Sequence, residues 1–229
     1  MFSLNSSRLL VFGVILLVLV TGCTGPAVPT LTAAPPTLVV GTSTAAPGVE
    51  AQPGSAGAGD SLYPNLGNGG YDVQHYTLDL TVNDVETADL SGQTIIEARA
   101  TQTLSSLNFD FIGFEIKEIT VNGQPAEFER NKQELVVTPA SPLAENESFT
   151  VEVRYQGSPG EMDSIAIPIQ TGWITFDGGS FVLSEPDGAA SFYPVNDHPL
   201  DKASYTFRVT VPEPFEVAAM LLHDHQRPQ

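Results

Sequence analysis

Tyr76-Thr77-Leu78-Asp79-Leu80-Thr81-Val82 decides the fold class. Tyr76, Leu78, Leu80 and Val82 alternate with Thr77, Asp79 and Thr81, and a period of two marks a strand with one face buried and the other wet. The pattern returns at Phe149, Val151, Val153 and Tyr155 against Thr150, Glu152 and Arg154, and again at Tyr205, Phe207, Val209 and Val211 against Thr206, Arg208 and Thr210. Weaker strand candidates lie between these, at Thr94 to Thr103, Ser106 to Phe111, Phe114 to Val121, Glu134 to Thr138, Gly172 to Phe176 and Ser180 to Ser184. Asn122-Gly123, between Ile119-Thr120-Val121 and Pro125-Ala126-Glu127-Phe128, is a two-residue hairpin signal, because both central residues of a type I′ turn need positive φ. No long stretch carries apolar spacing of three and four between a cap and a stop. The reading is an all-β domain, a sandwich or a larger curved sheet assembly.

Composition removes several function classes. The 229 residues hold 27 Asp and Glu against 9 Lys and Arg, and only Glu50 and Asp60 of the acidic ones precede residue 61. Such a chain lacks the clustered cations that neutralise phosphates, so it is not a nucleic-acid binder. One cysteine excludes a disulfide framework and a cysteine-rich zinc site, while 12 Phe, 6 Tyr and 1 Trp supply the core material that a disordered acidic tail lacks. Most carboxylates fall on the polar side of alternating strands or in loops, as a solvated surface requires. There is no calcium-loop run and no Gly-x-Ser-x-Gly. The histidines are His75, His198, His223 and His225; none belongs to a His-Glu-x-x-His helix, and His223-Asp224-His225 is a poor chelating pair near the chain end.

Before the β region the chain reads as targeting and tether. Arg8 precedes the apolar run Leu9 to Val20, too short to span a bilayer and fitting a signal peptide. Val20-Thr21-Gly22-Cys23 resembles the bacterial lipobox, and the sole cysteine occupies the position that becomes acylated. Residues 1–22 are therefore expected to be a lipoprotein signal peptide. Cys23 would be the lipid-bearing first mature residue, and residues 24–60 a disordered Pro/Thr/Ala/Gly linker. The product is expected to be exported, extracytoplasmic and membrane-anchored, with its globular part beginning near Ser61.

The stretch from Leu183 to Ala203 differs from the rest. Pro186, Pro194 and Pro199 fix φ, Asp187-Gly188 marks a turn, and Asn196, Asp197 and Asp201 can bond their own backbone, so this is a stiffened loop able to carry binding groups. Phe192-Tyr193-Pro194-Val195-Asn196-Asp197-His198-Pro199-Leu200-Asp201-Lys202-Ala203 resembles a segment of the aminopeptidase N family of zinc metallopeptidases. Tyr71-Asp72-Val73-Gln74-His75-Tyr76-Thr77-Leu78-Asp79-Leu80 resembles that family's opening strand. The resemblance covers about residues 69–219. It implies the family's N-terminal saddle-shaped β domain, which packs over a zinc catalytic domain and closes one side of its cleft.

The resemblance also assigns roles. Glu185 falls where the family has an acidic or amide residue that holds the substrate's free α-amino group, and Asp197, His198 and Asp201 fall where residues brace the loop. Gly188-Ala189-Ala190 departs from the family's Gly-Ala-Arg, removing a cation, and Val195 replaces a common Cys. After Ala219 no family pattern is read, so residues 220–229 are taken as a non-family tail, consistent with a frameshift or early stop. The zinc ligands, the Gly-x-Met-Glu-Asn loop and the general base are not in these residues. The chain is thus expected to have no catalytic residue, metal or cofactor of its own and to be inactive alone. Its expected partners are a zinc catalytic domain, a peptide N-terminus and the membrane. The alternative is a free-standing surface lipoprotein module for protein binding or subunit assembly.

Overall fold

The computed structural model describes residues 50–159 and 161–219. The expected signal peptide, Cys23, residues 24–49 of the expected linker and residues 220–229 with His223 and His225 lie outside the described residues. The strands are β1 (Gln52–Pro53), β2 (Tyr71–Asp84), β3 (Asp89–Ala100), β4 (Leu104–Asp110), β5 (Glu115–Val121), β6 (Gln124–Pro125), β7 (Glu127–Asn131), β8 (Glu134–Thr138), β9 (Ser148–Gly157), β10 (Glu161–Asp163), β11 (Gln170–Phe176), β12 (Gly179–Leu183) and β13 (Ser204–Thr210). Among the described residues the only helical element is a 3-10 turn, Ala189–Ser191. The strands form a six-stranded sheet in the order β13-β2-β3-β9-β5-β6, a four-stranded sheet β1-β4-β8-β7 and a three-stranded ribbon β10-β11-β12.

The two larger sheets share one core. Tyr76, Leu78 and Leu80 of β2, Ile96 of β3 and Val151, Val153 and Tyr155 of β9 are buried in the same cluster as Leu104, Leu107 and Phe109 of β4 and Leu135 and Val137 of β8. The ring of Tyr71 bridges them, 5.4 Å from Phe109 and 6.3 Å from Phe149. β2 changes phase once: Tyr71 and Val73 are buried, Gln74 is exposed, and burial resumes at Tyr76. The register against β3 shifts between Val73 and His75, so Gln74 is an extra residue that turns the following side chains back to the core. The expected hairpin is present, with Asn122 and Gly123 at φ 51 and 72 and Val121 paired to Gln124.

Two expectations need correction. Residues Glu50 to Asp60, ahead of Ser61, are ordered. Gln52 and Pro53 run parallel to β4, Gln52 N donates to Thr103 O at 2.9 Å, and Ser55 pairs with Gly69. Backbone pairing along a sheet edge, to which composition is blind, supplies this order. The second concerns β13. Its register places Tyr205 beside Tyr76 and Phe207 beside Leu78, so the apolar phase is as expected, but β13 is an edge strand and Tyr205 and Phe207 remain 40% and 38% exposed.

Candidate functional site

The loop after β12 turns inward. Every residue from Asp187 to His198 is buried, whereas Glu185, Pro199 and Leu200 are exposed. Val195 makes an antiparallel bridge to Asp110 at the end of β4, with N–H···O distances of 2.7 and 3.0 Å. The Tyr155 hydroxyl donates to Phe192 O at 2.9 Å, and Asn196 N donates to the Tyr76 hydroxyl at 3.0 Å. Tyr193 packs edge-on to Tyr76 at 5.7 Å. The motif segment is therefore the plug between the sheets, and it fixes where the preceding residues emerge.

Carboxylates carry the rest of the bracing. Asp197 Oδ2 accepts from Gly188 N at 3.0 Å and Ala190 N at 3.2 Å. Asp110 Oδ2 accepts from Asp197 N at 3.0 Å and Asn68 Nδ2 at 2.9 Å, and its Oδ1 from Gln133 Nε2 at 2.7 Å. Asp187, fully buried, accepts from the Ser164 hydroxyl at 2.5 Å and Ile165 N at 2.9 Å. Asp201 accepts from Val73 N at 3.2 Å and Asn196 Nδ2 at 2.5 Å. Burial pushes Asp110 and Asp197 up to about 6, against the backbone and amide donors that pull the other way, and raises Asp201 as well. No Lys or Arg enters this cluster among the described residues.

Glu185 projects from this frame. Its carboxylate takes no hydrogen bond or ion pair among the described residues. Leu183, pairing with Gly172, pins one side of it, and Asp187 with Gly188 pins the other. Gly188, at φ 125, lies so close to the ribbon that a Cβ would come within 2.8 Å of Gly172 N and Thr171 Cβ. Ala190, at the position of the family's Arg, is fully buried, and Asp197 braces the turn through backbone groups instead. The arrangement can present one anionic oxygen pair, rigidly, to a cationic ligand.

The described residues do not fit zinc. His75 has its ring nitrogens 2.7 Å from Ser204 Oγ and 3.0 Å from Thr206 Oγ1. His198 is buried, and its Nδ1 accepts from Leu200 N at 3.1 Å; the ring proton then sits on Nε2, which faces Asp60 Oδ2 at 3.4 Å. Among the described residues no three His, Cys, Asp or Glu side chains come together as a metal site. The residues that brace the loop from elsewhere, Asn68, Asp110, Gln133 and Ser164, carry no motif that sequence reading could find.

Comparison with known proteins adds the following. The family model of the Peptidase M1 N-terminal domain matches residues 72–227, past Ala219, into the stretch read as a non-family tail. The crystal structure of an M1 zinc metallopeptidase from Deinococcus radiodurans is 39% identical, covering 69% of this chain and 36% of its own, with a TM-score of 0.64. A mutant M1 zinc metallopeptidase from the same organism, bound to a Tyr-Ser-Ala substrate, is 39% identical over 68% of this chain and 36% of its own, with a TM-score of 0.63. The chain thus spans just over a third of the length of these relatives. No curated protein matches.

Proposed function

The chain belongs to the peptidase M1 family by its N-terminal domain, and from that membership we propose that this domain covers the substrate cleft of an exported, lipid-anchored zinc aminopeptidase, with Glu185 receiving the free α-ammonium of the peptide. The observation that carries the reading is Glu185 itself, an exposed carboxylate without an internal partner on a loop pinned from both sides. A charge-assisted hydrogen bond from such a group separates a free N-terminus from an internal peptide bond. Apolar surface supports the presence of a covering partner: Phe176, Phe181 and Val182, on the hairpin that leads into Glu185, are 57%, 49% and 40% exposed. The zinc-bearing part of the relatives is the partner proposed for that face.

Glu185→Ala tests this in a chimera in which residues 50–219 replace the matching domain of the Deinococcus enzyme. We expect kcat/KM for amino-acid anilides to fall roughly ten- to hundredfold, the loss of one charged hydrogen bond. An unchanged value removes Glu185 from the site. The 229-residue chain serves as control and should not hydrolyse these substrates with added zinc; chelator-sensitive turnover by it would overturn its proposed inactivity. The anchor is checked separately. Mass spectrometry of the mature protein should find a lipidated Cys23 at its N-terminus, and an unmodified thiol there would exclude the anchor.

A further inference from the structure

The arm Glu50–Gly70 lies ahead of the residues that match the family domain, yet it is laced into the loop that carries Glu185. We propose that this arm is a strap that positions Glu185, with Asn68 as its positioning residue acting through Asp110 and Asp197. The proposal rests on the role given to Glu185 above.

Along its length the arm is held to β4 by Gly54 N donating to Ser106 O at 2.9 Å, and to itself by the Ser55–Gly69 bridge and by Ala58 N donating to Leu66 O at 3.1 Å. At its end it meets the loop directly. Asn68 N donates to Asn196 Oδ1 at 2.6 Å, and Asn196 Nδ2 donates back to Asn68 O at 3.1 Å. Gly67 lies so close that a Cβ would stand 2.4 Å from His198 Cβ.

The chain of bonds then runs toward Glu185. Asn68 Nδ2 donates to Asp110 Oδ2 at 2.9 Å, the same oxygen accepts Asp197 N at 3.0 Å, and Asp197 Oδ2 holds Gly188 N and Ala190 N. Asn68 is 3% exposed, and its Oδ1 is buried without a partner, a costly arrangement. Only the donor half of this amide is used, and it is spent on Asp110. Besides Asn68, Asp110 is faced by the amide of Gln133, the carboxylates of Glu134 and Asp197 and the imidazole of His198. None of these is a Lys or Arg that could take over from Asn68.

Hydrogen exchange of single amides in the full chain tests the strap without any ligand. In Asn68→Ala the Gly188 and Ala190 amides should exchange at least roughly tenfold faster, as expected for losing one net hydrogen bond in the chain, while the central amides of β3 and β9 keep their protection. Unchanged protection at Gly188 and Ala190, or a uniform loss across all strands, overturns the proposal. Asn68→Asp keeps the shape and adds a pH readout. At neutral pH its carboxylate opposes Asp110 and the two loop amides should be exposed; near pH 4, below the range to which burial lifts its neighbours Asp110 and Asp197, the new carboxyl is protonated, its O–H can donate and protection should recover. No recovery there also overturns the proposal. These amides report on the strap alone, whereas the chimera reports on Glu185, so either idea can fail without the other.

Discussion

Replacing Tyr155 with Ala should destabilise the domain by about 3–5 kcal/mol, the usual cost of deleting a large buried aromatic side chain. Tyr155 is 2% exposed at the centre of the six-stranded sheet, with its ring edge-on to Phe111 at 4.9 Å and to Phe114 at 5.0 Å. Gly92 on the neighbouring strand leaves room for it, since a Cβ there would sit 2.3 Å from the ring. The ring also carries a polar link to the site: its hydroxyl donates to Phe192 O at 2.9 Å and lies 3.2 Å from Thr94 Oγ1. Tyr155→Phe separates the two contributions. It keeps the packing and should cost only about 1–2 kcal/mol, by leaving Phe192 O without its donor inside the core. Urea unfolding at constant m measures both. A cost below about 1.5 kcal/mol for Tyr155→Ala would mean that the cavity collapses and the ring is not central to the core.

The same residue shows why much of the fold could be read from the sequence. Tyr155 ends the alternation Phe149, Val151, Val153, Tyr155, and all four are buried, because β9 has a neighbour on each side and a second sheet below it. Strands with one wet face write their burial into the sequence with period two. β7 does not: Glu127–Asn131 is exposed at every position and exists by backbone pairing with β8, so no side-chain pattern marks it. β1 was hidden in the same way, inside a segment whose composition reads as linker. β13 misled in the opposite direction. Its apolar face is in phase with the core, but the period fixes which way a side chain points and not whether anything covers it.

The site was less legible, for a related reason. Glu185 came from a family resemblance and not from local chemistry, and the motif that carried the resemblance is mostly buried plug. In Leu107-Asn108-Phe109-Asp110-Phe111 the alternation reads Asn108 and Asp110 as outward and wet. Both are buried, because the loop and the arm close over that face of β4. Asn68, within Gly67-Asn68-Gly69-Gly70, reads as a turn residue, and its partners Asp110 and Asn196 lie 42 and 128 residues away along the chain. Period and composition are local properties, and the bracing of Glu185 is not local.

Acidification should stabilise the domain, against the common pattern in which paired carboxylates favour neutral pH. Burial raises Asp110 and Asp197 from an ordinary value of 3.8 to about 6. Between those two values the folded chain holds more protons than the unfolded one, so the free energy of unfolding falls as pH rises. The favourable contribution is complete below about pH 3.8, is lost progressively up to about 6, and stays lost above that. A rise from 3.8 to about 6 amounts to roughly 3 kcal/mol per group, and because the charge on Asp110 also raises Asp197 the two titrations are coupled and the full sum is an upper bound. Repulsion within a chain of formal charge -18 acts in the same direction, but it is screened by salt, whereas the buried pair is not. Unfolding by urea at pH 4.5 and at pH 7, in about 0.5 M salt, should therefore still show higher stability at the lower pH. Asp197→Asn sharpens the attribution. Its amide oxygen can keep the bonds from Gly188 N and Ala190 N, and its NH2 takes the place of Oδ1, which meets no donor among the described residues. That variant should gain stability at pH 7 and lose much of the pH dependence. If it does neither, the buried charge on Asp197 is not what makes this loop costly to hold at neutral pH.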